Sequence, residues 1–479
     1  IAHTNPARLA IQWVDWANDA SYEIHRKGLE DTDWGSPVAT VPGNSPGAGV
    51  QTLEWVDSSV SLGEGYEYRI IEHAPDHTGH GYLFAGVEYP AIHERGTILL
   101  VLDDRFTVDV ADGIARLKAD LVGDGWRVRS VETSVSASVP EVKALIESAR
   151  TQDPSINALL LFGGIAVPYS GLIAPDGHGD HYGAWPADVY YGVFGDVWTD
   201  ETADHPDAGS RNENIPGDGK FDQSEIPGPV EIEIGRVDFS GMLMFQGFIG
   251  GIVTEATLMQ RYLDKDHEYR HGDRVYTRRG LVDNNFDAYG SEAFGANAWR
   301  NFSSLMGIGH TRELDWFTTL STNDYLWAYG CGAGSSGAAS GVGSTSDFVN
   351  TPVNAVFTIL FGSGFGDWDS DNNFLRAPLP SKPSALTCCW VGRPAWNFHH
   401  MALGFDIGYS TKLAQNNDGL YLANGYGHLV HIALMGDPTL RTHIVLPPSD
   451  LQMTTGVSGV DLSWTASADT VVGYEVYRA

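Results

Sequence analysis

Apolar and polar residues follow two different periods along the chain. Between positions 7 and 89 they alternate in short runs, which clusters of Gly, Pro, Asn and Ser separate. Alternation with a period of two is typical of strands that bury one face. Several such strands in succession predict a β-sandwich over residues 1–92. The same alternation returns from position 449 onwards and predicts the start of a second, incomplete sandwich over residues 446–479.

The region between the two sandwiches, residues 93–445, contains longer apolar runs that alternate with amphipathic segments. Continuous apolar runs predict buried strands, and apolar residues three to four positions apart predict helices. Strands are predicted at residues 96–106, 126–133, 157–164, 230–239 and 278–286, and helices at residues 108–125, 140–150 and 244–270. Strand–helix alternation favours parallel pairing with right-handed crossovers. We therefore predict an α/β domain in which helices cover both faces of a parallel or mixed sheet.

Two apolar runs in this domain end in glycines and a small nucleophilic side chain. The run at 325–331 ends in Cys331, and the run at 354–363 ends in Ser363. As neighbouring strands, they would bring both residues to the edge where open α/β sheets bind ligands. Glycines just past a strand let the backbone turn sharply and approach a ligand, although they also occur where a loop only packs tightly. A functional crevice and a tightly packed loop are both consistent with this pattern.

Charge and composition narrow the classes of partner. The chain has 29 Lys and Arg residues against 61 Asp and Glu residues, a formal net charge of -32. Such a surface repels phosphate backbones and anionic lipids, so nucleic acid is not an expected partner. Three cysteines occur, two of them adjacent, and no disulfide framework is expected. No apolar run reaches the length of about 18 residues that indicates a membrane span, so no transmembrane segment is predicted.

An acidic loop at residues 214–225 has the spacing of an EF-hand calcium loop. Gly219 falls at position 6, where such loops turn sharply. The predicted ligands are Asn214, Asp218, the carbonyl of Lys220, Asp222 and Glu225, with Asn212 or a water in place of the side-chain oxygen that Pro216 lacks. Calcium takes six to eight oxygens, and this spacing wraps them around one point. A polar, solvated loop without a metal is the alternative.

Two other clusters carry side chains that bind metals in other proteins. His178, Asp180 and His181 are close enough in sequence to hold zinc. A third clear ligand is lacking, so the favoured interpretation is a loop whose histidines hydrogen-bond the backbone. Cys388 and Cys389 are interpreted as core residues, because adjacent cysteines cannot both reach one metal without strain and buried thiols behave as small apolar groups.

The first β-sandwich resembles a fibronectin type III domain. The matching residues are Trp13, the segment 21–28, and Leu62, Tyr66 and Tyr68 at the places of the tyrosine corner, while the domain's first strand is missing from the pattern. Trp464 and residues 474–478 match the first strands of another such domain. The resemblance implies tandem modules that act as spacers or adhesive surfaces, and therefore an extracellular or cell-surface location. Because an incomplete sandwich leaves strand edges unpaired, we expect a longer array of modules, and a neighbouring chain that supplies the missing strands is the alternative. The sequence also begins at Ile1 without an initiator Met, as a processed or partial chain would.

The middle region resembles the gingipain family of cysteine peptidases over residues 96–445. The resemblance rests on the segments LLLFGG, ADVYYGVFGD, VEIEIGRVDFS, LWAYGCG and AVFTILFGSGFGDWD. It implies a caspase-like α/β fold, with a catalytic His in a Gly-His-Gly turn after one strand and a nucleophilic Cys at the end of the next. Matched by position, the His falls on Cys331 and the nucleophile falls on Ser363.

The double change at Cys331 and Ser363 decides the expected activity. A cysteine peptidase needs a thiolate formed by a nearby imidazole, which later protonates the leaving amine. The altered dyad is therefore expected to be inert. Another histidine would be needed to restore a base, and the candidates are His310, His399, His400 and His431.

We therefore expect an extracellular, multidomain surface or matrix protein whose gingipain-like domain has kept its fold and lost peptidase chemistry. Its expected partners are other chains or components of the cell surface or matrix. The alternative is a secreted cysteine endopeptidase in which Cys331 is the nucleophile, with a base from elsewhere in the chain and a peptide as substrate.

Overall fold

The computed structural model describes residues 1–195, 197–247, 253–286, 288–289, 292–422, 427–457, 459–471 and 473–476. Two antiparallel sheets occupy the beginning of the chain. Their strands are β1 (Ala2–Thr4), β2 (Ala7–Asp15), β3 (Ser21–Gly28), β4 (Ala39–Pro42), β5 (Gln51–Asp57), β6 (Gly65–His73) and β7 (Thr78–Gly86). One sheet has the strand order β1-β2-β5, and the other has the order β4-β3-β6-β7.

The two sheets share one core, which alternate residues of their strands supply. Leu9 and Ile11 on β2 are buried together with Ile24 on β3 and Tyr68 on β6. Residues two positions apart on a strand point to the same face of a sheet. The period-two pattern of the sequence is therefore the pattern of side chains that the two sheets bury between them.

The α/β region follows, with strands and helices in alternation. Its strands are β8 (Thr97–Asp103), β9 (Arg127–Thr133), β10 (Ile156–Phe162), β11 (Tyr169–Ile173), β12 (Gly183–Pro186), β13 (Glu233–Val237), β14 (Gly280–Asn284), β15 (Ala288–Tyr289), β16 (Glu292–Ala293), β17 (Thr311–Glu313), β18 (Tyr325–Cys331), β19 (Gly334–Ser335), β20 (Ala338–Ala339), β21 (Gly343–Ser344), β22 (Ala355–Phe361), β23 (Thr387–Trp390) and β24 (Ala433–Gly436). Its α-helices are α1 (Phe106–Asp109), α2 (Ala111–Gly123), α3 (Val139–Gln152), α4 (Leu243–Gln246), α5 (Glu255–Arg270), α6 (Ala296–Met306), α7 (Trp316–Leu320), α8 (Thr345–Asn350) and α9 (Ile407–Gln415). Short 3-10 helices cover Asp188–Gly192, Ile308–His310 and His399–Leu403.

A ten-stranded mixed sheet organises this region, in the order β17-β14-β18-β22-β23-β24-β13-β10-β8-β9. All neighbouring pairs are parallel except β23 and β24, which are antiparallel. The sheet thus consists of two parallel halves that run in opposite directions and meet at the β23–β24 junction. The predicted α/β class with a parallel or mixed sheet is confirmed.

Helices cover both faces of the sheet because the central strands are buried on both sides. All seven residues of β8 are buried. Ile98 and Leu100 pack in the cluster that contains α2 and α5, whereas Leu99 and Val101 pack in the cluster that contains α3. Strands enclosed in this way read as continuous apolar runs.

Most predicted helices and strands lie close to the expected positions, with one break. The helix predicted at 140–150 is α3, which begins after Ser138 with a capping box to Glu141. The helix predicted at 244–270 is instead two helices, α4 and α5, and Gly247 ends the first with a φ of 56°. Residues 248–252 of that stretch lie outside the described residues.

The end of the chain contains an exposed hairpin of β25 (Ser449–Gly456) and β26 (Gly459–Thr465). The rings of Trp464 and Tyr474 lie 5.3 Å apart between centroids. Tyr477 and Arg478, which belong to the predicted strand match, lie outside the described residues. Among the helices that the structure describes, each is too short or too polar to serve as a membrane span.

The first β-sandwich packs against the α/β region through the face of β7. This strand contacts the His399–Leu403 helix and α6. The indole nitrogen of Trp34 donates to the carbonyl of Leu420 at 2.6 Å, and the Tyr82 hydroxyl accepts from the amide of Leu422 at 2.7 Å. Directional hydrogen bonds therefore cross the contact in addition to apolar packing.

Candidate functional site

Strands β18 and β22 carry the two residues that the resemblance places at catalytic positions. The strands are parallel neighbours, and Cys331 is aligned with Phe361 in their register. Cys331 is the last residue of β18, while Ser363 follows β22 after Gly362. The prediction that Cys331 and Ser363 lie at neighbouring strand ends is confirmed.

The loop after β18 passes very close to Ser363. A Cβ atom on Gly334 would lie 2.6 Å from the backbone nitrogen of Ser363 and 2.7 Å from its carbonyl oxygen, so only glycine permits this approach. Residues 333–335 and 338–344 of this loop line a cleft of about 580 Å³, and neither Cys331 nor Ser363 belongs to its lining.

The thiol of Cys331 is enclosed by protein. The residue is 0% exposed, and its sulfur donates a hydrogen bond to the side-chain oxygen of Asn284 at 3.1 Å. Burial raises the pKa of Cys331 to about 11, although a hydrogen bond with Tyr329 and neighbouring backbone amides act in the opposite direction. The thiolate is the nucleophilic form of cysteine. Cys331 therefore lacks both the access and the ionisation that a nucleophile needs near neutral pH.

The hydroxyl of Ser363 meets a histidine from a distant part of the sequence. The Ser363 Oγ lies 2.8 Å from the Nε2 of His178, within hydrogen-bond distance. His178 belongs to the exposed loop between β11 and β12, and Ser363 is 9% exposed. An imidazole nitrogen beside a hydroxyl is the arrangement in which a general base activates a nucleophile.

Asp176 ties the loop of His178 to the loop of Ser363. Its carboxylate accepts hydrogen bonds from the backbone amides of His178 at 3.1 Å and Gly364 at 2.9 Å. It also lies 2.7 Å from Nδ1 of His181, whose ring stacks on His178 with 5.3 Å between centroids. The two loops are thus held together, and the amide of Gly364 beside the hydroxyl is occupied by a carboxylate.

The four histidines that the sequence offers as replacement bases have other positions or partners. His399 and His400 each lie 3.1 Å from the carboxylate of Glu67 in the first β-sandwich. His431 bonds to a backbone carbonyl at 3.0 Å, and His310 is exposed in a 3-10 turn. Among the described residues, His178 is the histidine that bonds the Ser363 hydroxyl.

The sequence contained a signal for this histidine. Gly177-His178-Gly179 is the tripeptide in which the gingipain resemblance expects its catalytic histidine, but it lies far from the matched strand. The favoured interpretation of this loop, in which its histidines hydrogen-bond the backbone, is wrong for both rings, because His178 bonds the Ser363 hydroxyl and His181 bonds the Asp176 carboxylate. Among the described residues, this loop contributes no group of three His, Cys, Asp or Glu ligand atoms within 4.8 Å of one another.

The two asparagines of the predicted calcium loop bond to the backbone of neighbouring segments. Asn214 is buried, and its amide nitrogen donates to the carbonyls of Gly171 at 2.9 Å and Phe221 at 3.0 Å. Asn212 donates to the carbonyl of Ala184 at 2.9 Å. Both side chains therefore hold the loop against β11 and β12.

The charged residues of the calcium loop have separate partners. Asp222 accepts hydrogen bonds from the backbone amides of residues 201–203 at 2.7 to 3.1 Å, and the Lys220 ammonium lies 3.3 Å from Asp218. Within the described residues, Asp218, Asp222 and Glu225 do not form a group whose ligand atoms all lie within 4.8 Å of one another. Calcium binding thus stays a prediction, and it requires the loop to rearrange so that these oxygens converge.

Comparisons with known proteins identify no family for the chain. No protein-family model matches it. No curated protein matches it either. The Arg-specific cysteine proteinase gingipain R is similar with a TM-score of 0.44 and 12% identity, over 77% of this chain and 83% of that chain. A putative β-galactosidase from Bacteroides fragilis has a TM-score of 0.15 and 11% identity, over 60% of this chain and 38% of that chain. A sialyltransferase from Photobacterium damsela has a TM-score of 0.13 and 8% identity, over 74% of this chain and 90% of that chain. All three TM-scores are below 0.5, so the α/β assignment rests on the topology of the chain itself.

Proposed function

We propose that the protein is an extracellular, multidomain surface or matrix protein whose gingipain-like α/β domain lacks cysteine-peptidase chemistry and serves as a structural or binding module. The observation that carries this proposal is the buried thiol of Cys331, which stands where the resemblance places the catalytic histidine. A thiol with a raised pKa cannot exchange protons near neutral pH as an imidazole does.

The surroundings of Ser363 support the same proposal. Acyl transfer needs backbone amides that are free to stabilise a developing oxyanion. The amide of Gly364, the residue after Ser363, instead donates to the carboxylate of Asp176. A carboxylate at this place also repels negative charge that develops beside the hydroxyl. The surroundings of Ser363 therefore resemble a peptidase site in their position in the chain more than in their chemistry.

The proposed location rests on the first β-sandwich and on charge. Its two antiparallel sheets share one core, as a spacer module requires, and its residues resemble a fibronectin type III domain. The net charge of -32 favours solubility and disfavours contact with anionic lipid and nucleic acid. Proteins or matrix components are the partners most compatible with these features.

Thiol labelling combined with a cleavage assay tests the loss of peptidase chemistry. We expect the native protein to leave a denatured protein substrate intact. We also expect iodoacetamide at neutral pH to modify none of the three cysteines until urea unfolds the chain, because all three are buried. If iodoacetamide labels Cys331 rapidly in the native protein and abolishes cleavage, the protein is a cysteine endopeptidase and the proposal is wrong.

A second candidate function, a serine hydrolase, is favoured by one specific observation. The 2.8 Å contact between Ser363 and His178 is a nucleophile–base pair in geometry. In this function His178 takes the proton from the hydroxyl as the serine oxygen attacks an ester or amide carbonyl, and then returns it to the leaving group.

A fluorophosphonate probe distinguishes the two candidate functions, since it reacts with activated serine hydroxyls. A serine hydrolase would be labelled at Ser363, and both Ser363→Ala and His178→Gln would lose the label. Ser335→Ala is the matched control, because Ser335 lines the neighbouring cleft. Absence of labelling in the native protein eliminates the hydrolase candidate and leaves the non-catalytic module.

A further inference from the structure

A cluster of two histidines and one aspartate, side chains of the types that ligate metals, lies between helices α2 and α5 and does not include Ser363 or its partners. His267 is in the last turn of α5, and His271 is the residue that caps its carboxyl end. Residues four positions apart share one face of a helix, and the two imidazole rings have centroids 4.1 Å apart. Asp120 on α2 faces them across the contact between the two helices.

The three side chains already point their donor atoms at one another. One carboxylate oxygen of Asp120 lies 2.8 Å from Nδ1 of His267, and the other lies 2.9 Å from Nε2 of His271. All three donor atoms fall within 4.8 Å of one another. Donors around a tetrahedral zinc ion lie about 3.4 Å apart, since zinc–nitrogen bonds are about 2.0–2.1 Å long. An ion therefore fits after small outward movements of the side chains.

We propose that Asp120, His267 and His271 bind one zinc ion, which fastens α2 to α5. Two imidazoles and one carboxylate are a typical zinc ligand set, and a water completes a tetrahedral site. The side chains of His267 and His271 are 27% and 34% exposed, so zinc has a path from solvent, whereas Asp120 at 6% provides a fixed anchor.

The cluster contains one full negative charge. The Asp120 carboxylate lies within 2.9 Å of a nitrogen of each imidazole, so a divalent cation at this place would be attracted by the carboxylate and bound by two neutral donors.

A second three-residue group in the described part of the chain, Glu67 with His399 and His400, is a poorer metal site. It is fully buried, and the ammonium of Lys27 lies 2.5 Å from the Glu67 carboxylate. A cation at this distance repels a metal ion. Zinc binding is therefore assigned to the cluster between α2 and α5.

Isothermal titration calorimetry with zinc chloride on the full chain, freed of metals by a chelator, tests the proposal. We expect one equivalent of zinc to bind with a Kd below roughly 10 μM. Loss of an outer partner of a metal ligand commonly weakens affinity about 10–100-fold, so His271→Ala and Asp120→Asn should weaken it by more than about 100-fold. His310→Ala, at an exposed histidine outside the cluster, should bind as the unmodified protein does.

Cobalt provides a second measurement that does not depend on stability. Cobalt bound to the unmodified protein should show the visible absorption of a tetrahedral site, and both cluster variants should lose it while their circular dichroism is unchanged. Binding that is weaker than the stated limit, or zinc binding that survives in His271→Ala and Asp120→Asn, overturns the proposal and leaves a metal-free hydrogen-bonded cluster.

Discussion

His431 shows how the fold sets the charge of a single side chain. The imidazole is 2% exposed, and its Nε2 bonds to the carbonyl of Ser170 at 3.0 Å. Burial lowers the pKa of His431 to about 4, although the hydrogen bond to Ser170 acts in the opposite direction. The same cause acts on the thiol of Cys331 with the opposite effect on pKa, because burial disfavours the charged form of each group.

Replacement of His431 should reduce the acid sensitivity of the protein. The native pKa of about 4 lies below the ordinary value of 6.5, so the unfolded chain binds a proton that the native protein excludes between these pH values. The stability that this histidine contributes is complete above pH 6.5 and is lost as the pH falls towards 4. Because one pKa unit corresponds to about 1.4 kcal/mol, the loss is about 3 kcal/mol.

Urea unfolding at neutral pH and at pH 4 measures this contribution. We expect the difference in unfolding free energy between the two pH values to be smaller in His431→Gln by about 2–3 kcal/mol. The Gln amide also keeps a donor for Ser170. His310→Gln, at an exposed site, should match the unmodified protein. An unchanged difference in His431→Gln would show that this imidazole does not titrate as argued.

In the loops at residues 199–203 and 214–225, the contacts differ from those that the calcium-loop spacing of the sequence predicts. The spacing predicts that the Asp222 and Glu225 side chains turn towards one ion. In the structure the Asp222 carboxylate instead accepts hydrogen bonds from the backbone amides of residues 201–203. Burial alone would raise its pKa, but these hydrogen bonds and one from Thr199 lower it overall. Asp222 therefore stabilises the connection between the two loops.

Calcium should stabilise the protein through Glu225 if the predicted site forms. A ligand that binds only the folded state stabilises it by about 2.7 kcal/mol at a hundredfold excess over Kd. We therefore expect EDTA to lower the Tm of the unmodified protein. Glu225→Gln should remove most of this sensitivity, because position 12 normally supplies two oxygens. Glu231→Gln, outside the loop, should retain it.

The calcium hypothesis has a direct contrary outcome. Equal melting of the unmodified and Glu225→Gln proteins with and without calcium would identify the loop as acidic but metal-free. Equal stabilisation by magnesium would exclude a calcium-specific site, since magnesium demands a smaller and more regular oxygen shell.

At the scale of the whole molecule, a buried polar network joins the first β-sandwich to the α/β region. The carboxylate of Glu67 lies between the ammonium of Lys27, the imidazoles of His399 and His400, and the hydroxyl of Tyr421. Burial alone would raise the pKa of Glu67, but hydrogen bonds with the two histidines lower it overall. One carboxylate therefore satisfies partners on both sides of the contact.

Removal of the Glu67 charge should destabilise the protein strongly. Loss of one partner from a buried ion pair leaves the other charge uncompensated and commonly costs about 3–5 kcal/mol. We expect Glu67→Gln to lower the free energy of unfolding by this amount, because Lys27 is 4% exposed and loses its counter-ion. Urea unfolding measures the change.

Glu54→Gln is the matched control for Glu67. Glu54 accepts a hydrogen bond from Gln12 at an exposed position, so its replacement should change stability by less than about 0.5 kcal/mol. A loss below about 1 kcal/mol in Glu67→Gln would mean that the network does not hold the two parts of the molecule together.

The order of apolar and polar residues was sufficient to predict the α/β class, the two sheets of the first β-sandwich and the adjacent ends of β18 and β22. These features follow from local periods, because a strand repeats every two residues and a helix about every 3.6. Glycines after the strands also indicated where two backbones approach closely. Burial of Cys331 followed from the apolar run that contains it, whose seven residues are all enclosed.

Only the tertiary structure decided which side chains meet. Ser363 and His178 are 185 residues apart in the sequence, and Asp176 holds their two loops together by accepting hydrogen bonds from the amides of His178 and Gly364. Asp120 reaches His267 across two packed helices, so the histidine spacing alone does not reveal the third ligand. The antiparallel junction of β23 and β24 likewise has no local signature. Periodicity specifies which face of an element is buried, whereas long-range packing selects the partner that covers that face.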